Sequence, residues 1–174
     1  KHPRSLINHS DVRGVSERVC GGSLMGDKHL EAGHVLIPLN EDDVRKGAEE
    51  LIERGVDTIG ILFVYSFTNP THEHRAKEIV QEILDGRKAK MPVVCSVDVA
   101  PVSRENNRLK SLLFQCFAAE EIRDGYLYVE QEAKIQGYAG RLLTLLSYGG
   151  AVNMDYPRLY ETMISGPIGG LMGA

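Results

Sequence analysis

The chain has 174 residues, enough for one domain with a sizeable core or for parts of two, and its hydrophobic (43%) and charged (25%) fractions are ordinary for a globular protein. A formal charge of −4 offers no surplus of Lys and Arg to grip nucleic acid, and no block of like charge forms a tail. No apolar run approaches the ~20 residues of a membrane helix, and no signal-peptide core follows Lys1-His2-Pro3-Arg4-Ser5.

Taken in order, residues 1–34 are interrupted by Gly14, Gly21, Gly22, Gly26 and Gly33, which predicts loops with one short strand near 15–19. Residues 35–39 read as a short apolar strand. Asn40 then stands as an N-cap, with Glu41, Asp42 and Asp43 at the positive end of the helix dipole. Val44, Ala48, Leu51 and Ile52 keep helical spacing as far as Arg54, and Gly55 supplies the C-cap. Residues 57–65 are apolar on both faces, as a buried parallel strand requires. Asn69 and Pro70 open a second helix that runs to about Leu84 on the stripe Ala76, Ile79, Val80, Ile83 and Leu84. Residues 92–96 form the next strand. Three strands alternating with two helices predict a βαβαβ unit with right-handed crossovers.

Beyond residue 102 the pattern changes, placing a boundary near 103. Residues 106–117 and 120–136 read as two helices, the second ending at Gly137, and 142–146 as a buried strand. Residues 155–164 read as a helix with Asp155 as N-cap and Pro157 in its first turn. The fold class expected is α/β, a βαβ-type mostly parallel sheet with flanking helices.

Candidate chemistry is sparse. Cys20, Cys95 and Cys116 lack the spacing of a disulfide framework or a zinc knuckle, so buried free thiols of a cytoplasmic protein are expected. His72 and His74, two apart on a helix, point to different sides and cannot share an ion; both are expected in solvent. His29 and His34 lie near Cys20, but without a known ligand spacing no metal site is expected. The turn Arg104-Glu105-Asn106-Asn107-Arg108 reads either as a cap with its arginines in solvent or as a polar turn facing the cleft at the carboxyl end of the 93–96 strand. No phosphate-loop or dinucleotide fingerprint occurs, and Ser147 is not in a nucleophile elbow. Two glycine turns remain, Ser147-Tyr148-Gly149-Gly150 and Ser165-Gly166-Pro167-Ile168-Gly169-Gly170. Each reads equally as a tight turn or as bare backbone brought up to a ligand. No general base or nucleophile can be assigned.

The order of these motifs does resemble a family. Gly55-Val56-Asp57, the run Tyr65-Ser66-Phe67-Thr68-Asn69-Pro70-Thr71-His72-Glu73, Pro92-Val93-Val94-Cys95-Ser96 and the two glycine turns together are similar to the ATP-dependent hydantoinase/oxoprolinase superfamily, in its hydantoinase-A-type chain. Glu105-Asn106-Asn107-Arg108, Leu113-Phe114-Gln115-Cys116 and Tyr156-Pro157-Arg158-Leu159-Tyr160-Glu161 look most like its acetone carboxylase branch, whereas Tyr148 departs from the Asn usual in hydantoinases and 5-oxoprolinases.

The resemblance implies part of an actin/Hsp70/sugar-kinase-like (ribonuclease H-like) ATPase fold. Residues 1–103 would be the end of the hydantoinase/oxoprolinase N-terminal region and 104–174 the start of the hydantoinase A region, in an internal piece of a longer subunit. It further implies ATP and Mg2+ in the parent enzyme, with Ser147, Gly149, Gly150, Ser165, Gly166, Gly169 and Gly170 near the nucleotide cleft. A transition metal, Mn, would be held by a partner subunit of the hydantoinase-B type, beside a small third subunit. The implied reaction joins acetone and bicarbonate into acetoacetate through phosphorylated intermediates. The alternatives are ATP-dependent opening of a cyclic amide, as in hydantoinase or 5-oxoprolinase, and a scaffold or docking segment without chemistry.

Overall fold

The computed structural model describes residues 6–25 and 28–173, and the chain divides into two compact units, 1–116 and 117–174. The first unit opens with two small antiparallel ribbons. In one, β1 (Arg18–Val19) pairs with β4 (Val35–Ile37); in the other, β2 (Ser23–Met25) pairs with β3 (Lys28–Leu30). Its centre comprises α1 (Glu41–Glu53), β5 (Ile59–Ile61), α2 (Thr71–Arg87), β6 (Val93–Cys95), the single turn α3 (Ser96–Val99) and the start of α4 (Glu105–Ile135).

α1 forms for the reasons its sequence states. Asn40 Oδ1 accepts the N–H groups of Asp42 (3.1 Å) and Asp43 (3.3 Å), satisfying two of the donors a helix start leaves open. At the other end Gly55 N donates to Ile52 O and Val56 N to Leu51 O, with Gly55 at φ +72°, which is a Schellman closure. α2 starts where Asn69 Oδ1 accepts the Thr71 N–H (3.1 Å), and it closes by the same device around Lys88. β5 and β6 pair in parallel, Ile59 with Val93 and Ile61 with Cys95. The core lies between these strands and the two helices: Val44 and Ala48 of α1, Ile59 and Ile61 of β5, Ala76, Ile79, Val80 and Leu84 of α2, Val93 and Cys95 of β6, and Val97.

Three expectations need correction here. The βαβαβ unit reduces to one parallel pair, because β4 is exposed along its whole length and is taken up by β1. β5 ends at Ile61 instead of reaching Tyr65, because side chains claim the backbone of Phe63: Glu73 Oε1 accepts its N–H and Arg108 Nη2 donates to its carbonyl. His72 is buried, with Nδ1 2.9 Å from Glu17 Oε2. It stands four residues before Ala76 and seven before Ile79, so the helix turns it inward with them. His74 is exposed as expected, with Asp98 beside it at 2.9 Å. His29 falls where no side chain is described. Cys20 and Cys95 are buried free thiols, and Cys116 is half-buried.

The second unit holds α4 from Phe117 onward, the hairpin β7 (Leu143–Leu145) and β8 (Ala151–Asn153), a 3₁₀ turn at Leu159–Thr162, and α5 (Ser165–Met172). Three further expectations change. The two helices over 106–136 are one, since Ala118 and Ala119 at the presumed break are strong helix formers and the lone Gly125 costs only about 1 kcal/mol. It ends at Gly137, as expected, in another Schellman closure. The 142–146 strand is mostly exposed, with only Leu146 buried. The helix expected over 155–164 is that single 3₁₀ turn. Among the described residues no helix is long and apolar enough to cross a membrane.

Lys88 offers a test of the helix closures. It occupies the left-handed region (φ 53°), which disfavours any side chain. Lys88→Gly should therefore raise stability by about 1 kcal/mol, read as a higher urea midpoint at unchanged slope.

Candidate functional site

The carboxyl ends of β5 and β6 meet a buried polar cluster, centred on Glu73 in the first turn of α2. Glu73 is fully buried and four donors reach its carboxylate: Phe63 N (2.9 Å), Ser66 Oγ (2.6 Å) and Ser96 Oγ (2.8 Å) on Oε1, and Val97 N (3.1 Å) on Oε2. Its own carbonyl accepts the Cys95 thiol. Arg108, also fully buried, donates through Nε to Ser96 Oγ (3.2 Å) and through Nη2 to Phe63 O, and its guanidinium lies 5.7 Å from the centre of the Phe67 ring. Among the described residues Arg108 Nη1 has no hydrogen-bond partner. Glu105, one turn earlier, accepts the Tyr65 N–H at 3.1 Å. Tyr65 and Arg104 both adopt the left-handed region, at φ 60° and 73°.

Of the turn singled out in the sequence, Glu105 and Arg108 thus point inward, while Asn106 and Asn107 are exposed and make the first free turn of α4. The reading with arginines in solvent fails for Arg108. Sequence reasoning missed Glu73, Ser66 and Ser96. A signal existed for Glu73, which stands three residues before Ala76 and seven before Val80 on the apolar stripe of α2.

The electrostatics follow from burial and donors. The Glu105 carboxyl is held below its ordinary value of 4.5, chiefly by its own backbone N–H and that of Tyr65, with Arg108 adding a smaller share. Burial, with the charges of Asp98 and Glu73, pushes the Cys95 thiol up to about 12, and burial alone pushes Cys116 up to about 11. Neither thiol is a nucleophile near neutral pH.

In the second unit the two glycine turns have different structures. Ser147–Gly150 is the connection of the β7–β8 hairpin, with Gly149 at φ +93°. The Ser147 hydroxyl donates to Glu161 O (2.6 Å) and accepts the Ile164 N–H (3.2 Å). Residues 165–170 are not a loop; they form most of α5. A side chain at Gly169 would lie 2.6 Å from Leu145 Cδ1, so this glycine lets α5 close on β7, while Gly166 and Gly170 face open space. Beside the hairpin turn, three tyrosines converge on Glu161: Tyr148 (3.0 Å) and Tyr156 (2.7 Å) donate to Oε2, and Tyr160 (3.1 Å) to Oε1. Arg158 Nε donates to the Tyr156 hydroxyl at 2.9 Å. Burial, then the bond to Glu161, pushes Tyr156 up to about 12. Among the described residues no group of three His, Cys, Asp or Glu side chains is placed to hold a metal ion.

Residues 4–84 match the family described as the hydantoinase/oxoprolinase N-terminal region. Among individual proteins, the chain is 33% identical over 169 residues to the acetone carboxylase beta subunit of Xanthobacter autotrophicus, a match covering 97% of this chain and 22% of that subunit. It is 28% identical over 173 residues to the acetophenone carboxylase gamma subunit of Aromatoleum aromaticum, covering 99% and 22%. The solved nucleotide-free structure of acetone carboxylase superposes with a TM-score of 0.80 at 31% identity, over 92% of this chain and 21% of that one. The chain thus spans about a fifth of the length of the relatives it matches.

The lowered Glu105 carboxyl fixes a sign. A carboxyl whose folded pKa lies below its unfolded value stabilises the fold above that unfolded value, and the benefit is lost as pH falls through the folded one. Wild type should therefore exceed Glu105→Gln by about 1 kcal/mol at pH 7, after allowance for solvent, and the gap should close below pH 4.5 in denaturation series.

Proposed function

We propose that this chain is a segment of the ATP-dependent subunit of a carboxylase of the acetone carboxylase kind. The observation that carries the reading is the likeness to acetone carboxylase over 97% of the chain in sequence and 92% in backbone. In the parent enzyme ATP, with Mg2+, would supply phosphoryl groups that activate bicarbonate and a ketone. Carbon–carbon bond formation would then fall to a hydantoinase-B-type partner carrying a transition metal, with a small third subunit completing the assembly.

The residues of this chain fit a supporting part in that chemistry. The Ser147 hydroxyl is already engaged by Glu161 and Ile164, so it does not by itself cradle a phosphate. What Ser147, Gly149 and Gly150 contribute is a hairpin turn held rigid through Glu161; Ser165, Gly166, Gly169 and Gly170 lie in α5, and of these Gly169 seats the helix closely on β7. Both would set the backbone of the nucleotide cleft from the side. Glu105, Asn106, Asn107 and Arg108 would shape the carboxyl end of the parallel strands, where α/β sheets receive ligands.

Two outcomes test this in the full-length enzyme. ATP consumption should require acetone, or a related ketone, together with bicarbonate; consumption that requires a hydantoin or 5-oxoproline instead would place the parent among cyclic amide hydrolases. Gly169→Val should lower ATP turnover at least tenfold, since a branched side chain there forces α5 off β7. Wild-type turnover in a folded Gly169→Val enzyme would detach α5 from the nucleotide cleft.

A further inference from the structure

We propose that the carboxyl end of the β5–β6 pair is a binding site for a small oxyanion of phosphate or carboxylate type, with Arg108 Nη1 as its donor. The proposal does not depend on the parent enzyme being a carboxylase.

Arg108 is permanently charged and fully buried, yet its partners are a hydroxyl, a carbonyl and an aromatic face. The rest of the cluster is closed. Glu73 already takes four donors, and Ser96 Oγ gives its proton to Glu73 while accepting from Arg108 Nε. Among the described residues the Nη1 group lacks an acceptor, and a buried charged donor in that state is rare and costly.

Two further features favour an anion there. Arg108 sits in the first free turns of the 31-residue helix α4, whose N–H dipoles point their positive end toward the same place. The place is also the carboxyl end of a parallel strand pair, where such sheets hold their ligands. Glu105 opposes the ligand, since its carboxylate lies in the same turn. Access runs past Phe67, the residue of the loop after β5 whose ring lies over the guanidinium, so the ligand enters as that loop lifts.

The opposing charge makes the test selective. The chain would be titrated with inorganic phosphate and, separately, with acetate, and its melting midpoint followed. In wild type the bound anion should raise the midpoint by roughly 5–10 °C at a hundredfold excess over Kd. Response to phosphate assigns a phosphoryl ligand and response to acetate a carboxylate one. Arg108→Gln should abolish the rise. Glu105→Gln should tighten binding about three- to tenfold by removing the repelling charge. If Arg108→Gln does not fold, Arg108→Lys, which keeps a cation but not the second N–H fork, should weaken binding at least tenfold. A crystal structure of the wild-type chain in phosphate decides independently of any variant: a tetrahedral ion on Nη1 supports the site. Water alone at that position, no response to either anion, or an equal rise in Arg108→Gln overturns it.

Discussion

The Glu73 carboxylate is the joint on which the first unit depends. It is a charge placed wholly out of water, tolerable only because four donors from two separate segments converge on it. Those donors belong to the loop after β5 and to the start of α3, where the chain has just left β6. One side chain therefore fixes where β5 stops, how the following loop turns back, and where the chain leaves β6. Ser96 then passes the arrangement to Arg108, and so to α4, through one shared hydroxyl. A network of this kind fixes geometry more than it adds stability, because each member becomes a buried unsatisfied group once its neighbour is lost.

The second unit is organised by a different means. Its glycines serve packing: Gly149 turns the hairpin and Gly169 admits α5 against β7. Glu161 does for this unit part of what Glu73 does for the first, through its carbonyl to Ser147 and its carboxylate to three tyrosines. The difference lies in exposure. Leu143, Leu145, Leu171 and Met172 are left largely open to solvent, so polar contacts and close backbone approach carry more of the order here than a dry core does.

Much of the fold was legible where local chemistry decides it. α1 could be read to within a residue because Asn40, the acidic first turn and Gly55 each state an end of the helix, and α2, β5 and β6 followed from apolar patterning. What escaped was set by distant partners. The pairing of β4 with β1, the early end of β5 and the burial of His72 against Glu17 rest on contacts between residues far apart in sequence. The family likeness was carried by motif order. The inward turn of Arg108 was not readable, since an arginine at the start of a polar helix turn looks the same in solvent as in a core.

The tyrosine cluster at Glu161 has an optical consequence. The chain contains seven tyrosines and no tryptophan, and of the seven only Tyr65 lies in the first unit. Ultraviolet emission from this protein is therefore almost wholly a signal of the second unit. Part of that emission comes from phenols bonded to a carboxylate, an arrangement that drains the excited state. Opening of the β7–β8 hairpin would brighten the chain while the parallel strands and their buried Glu73 stay dark to the same measurement.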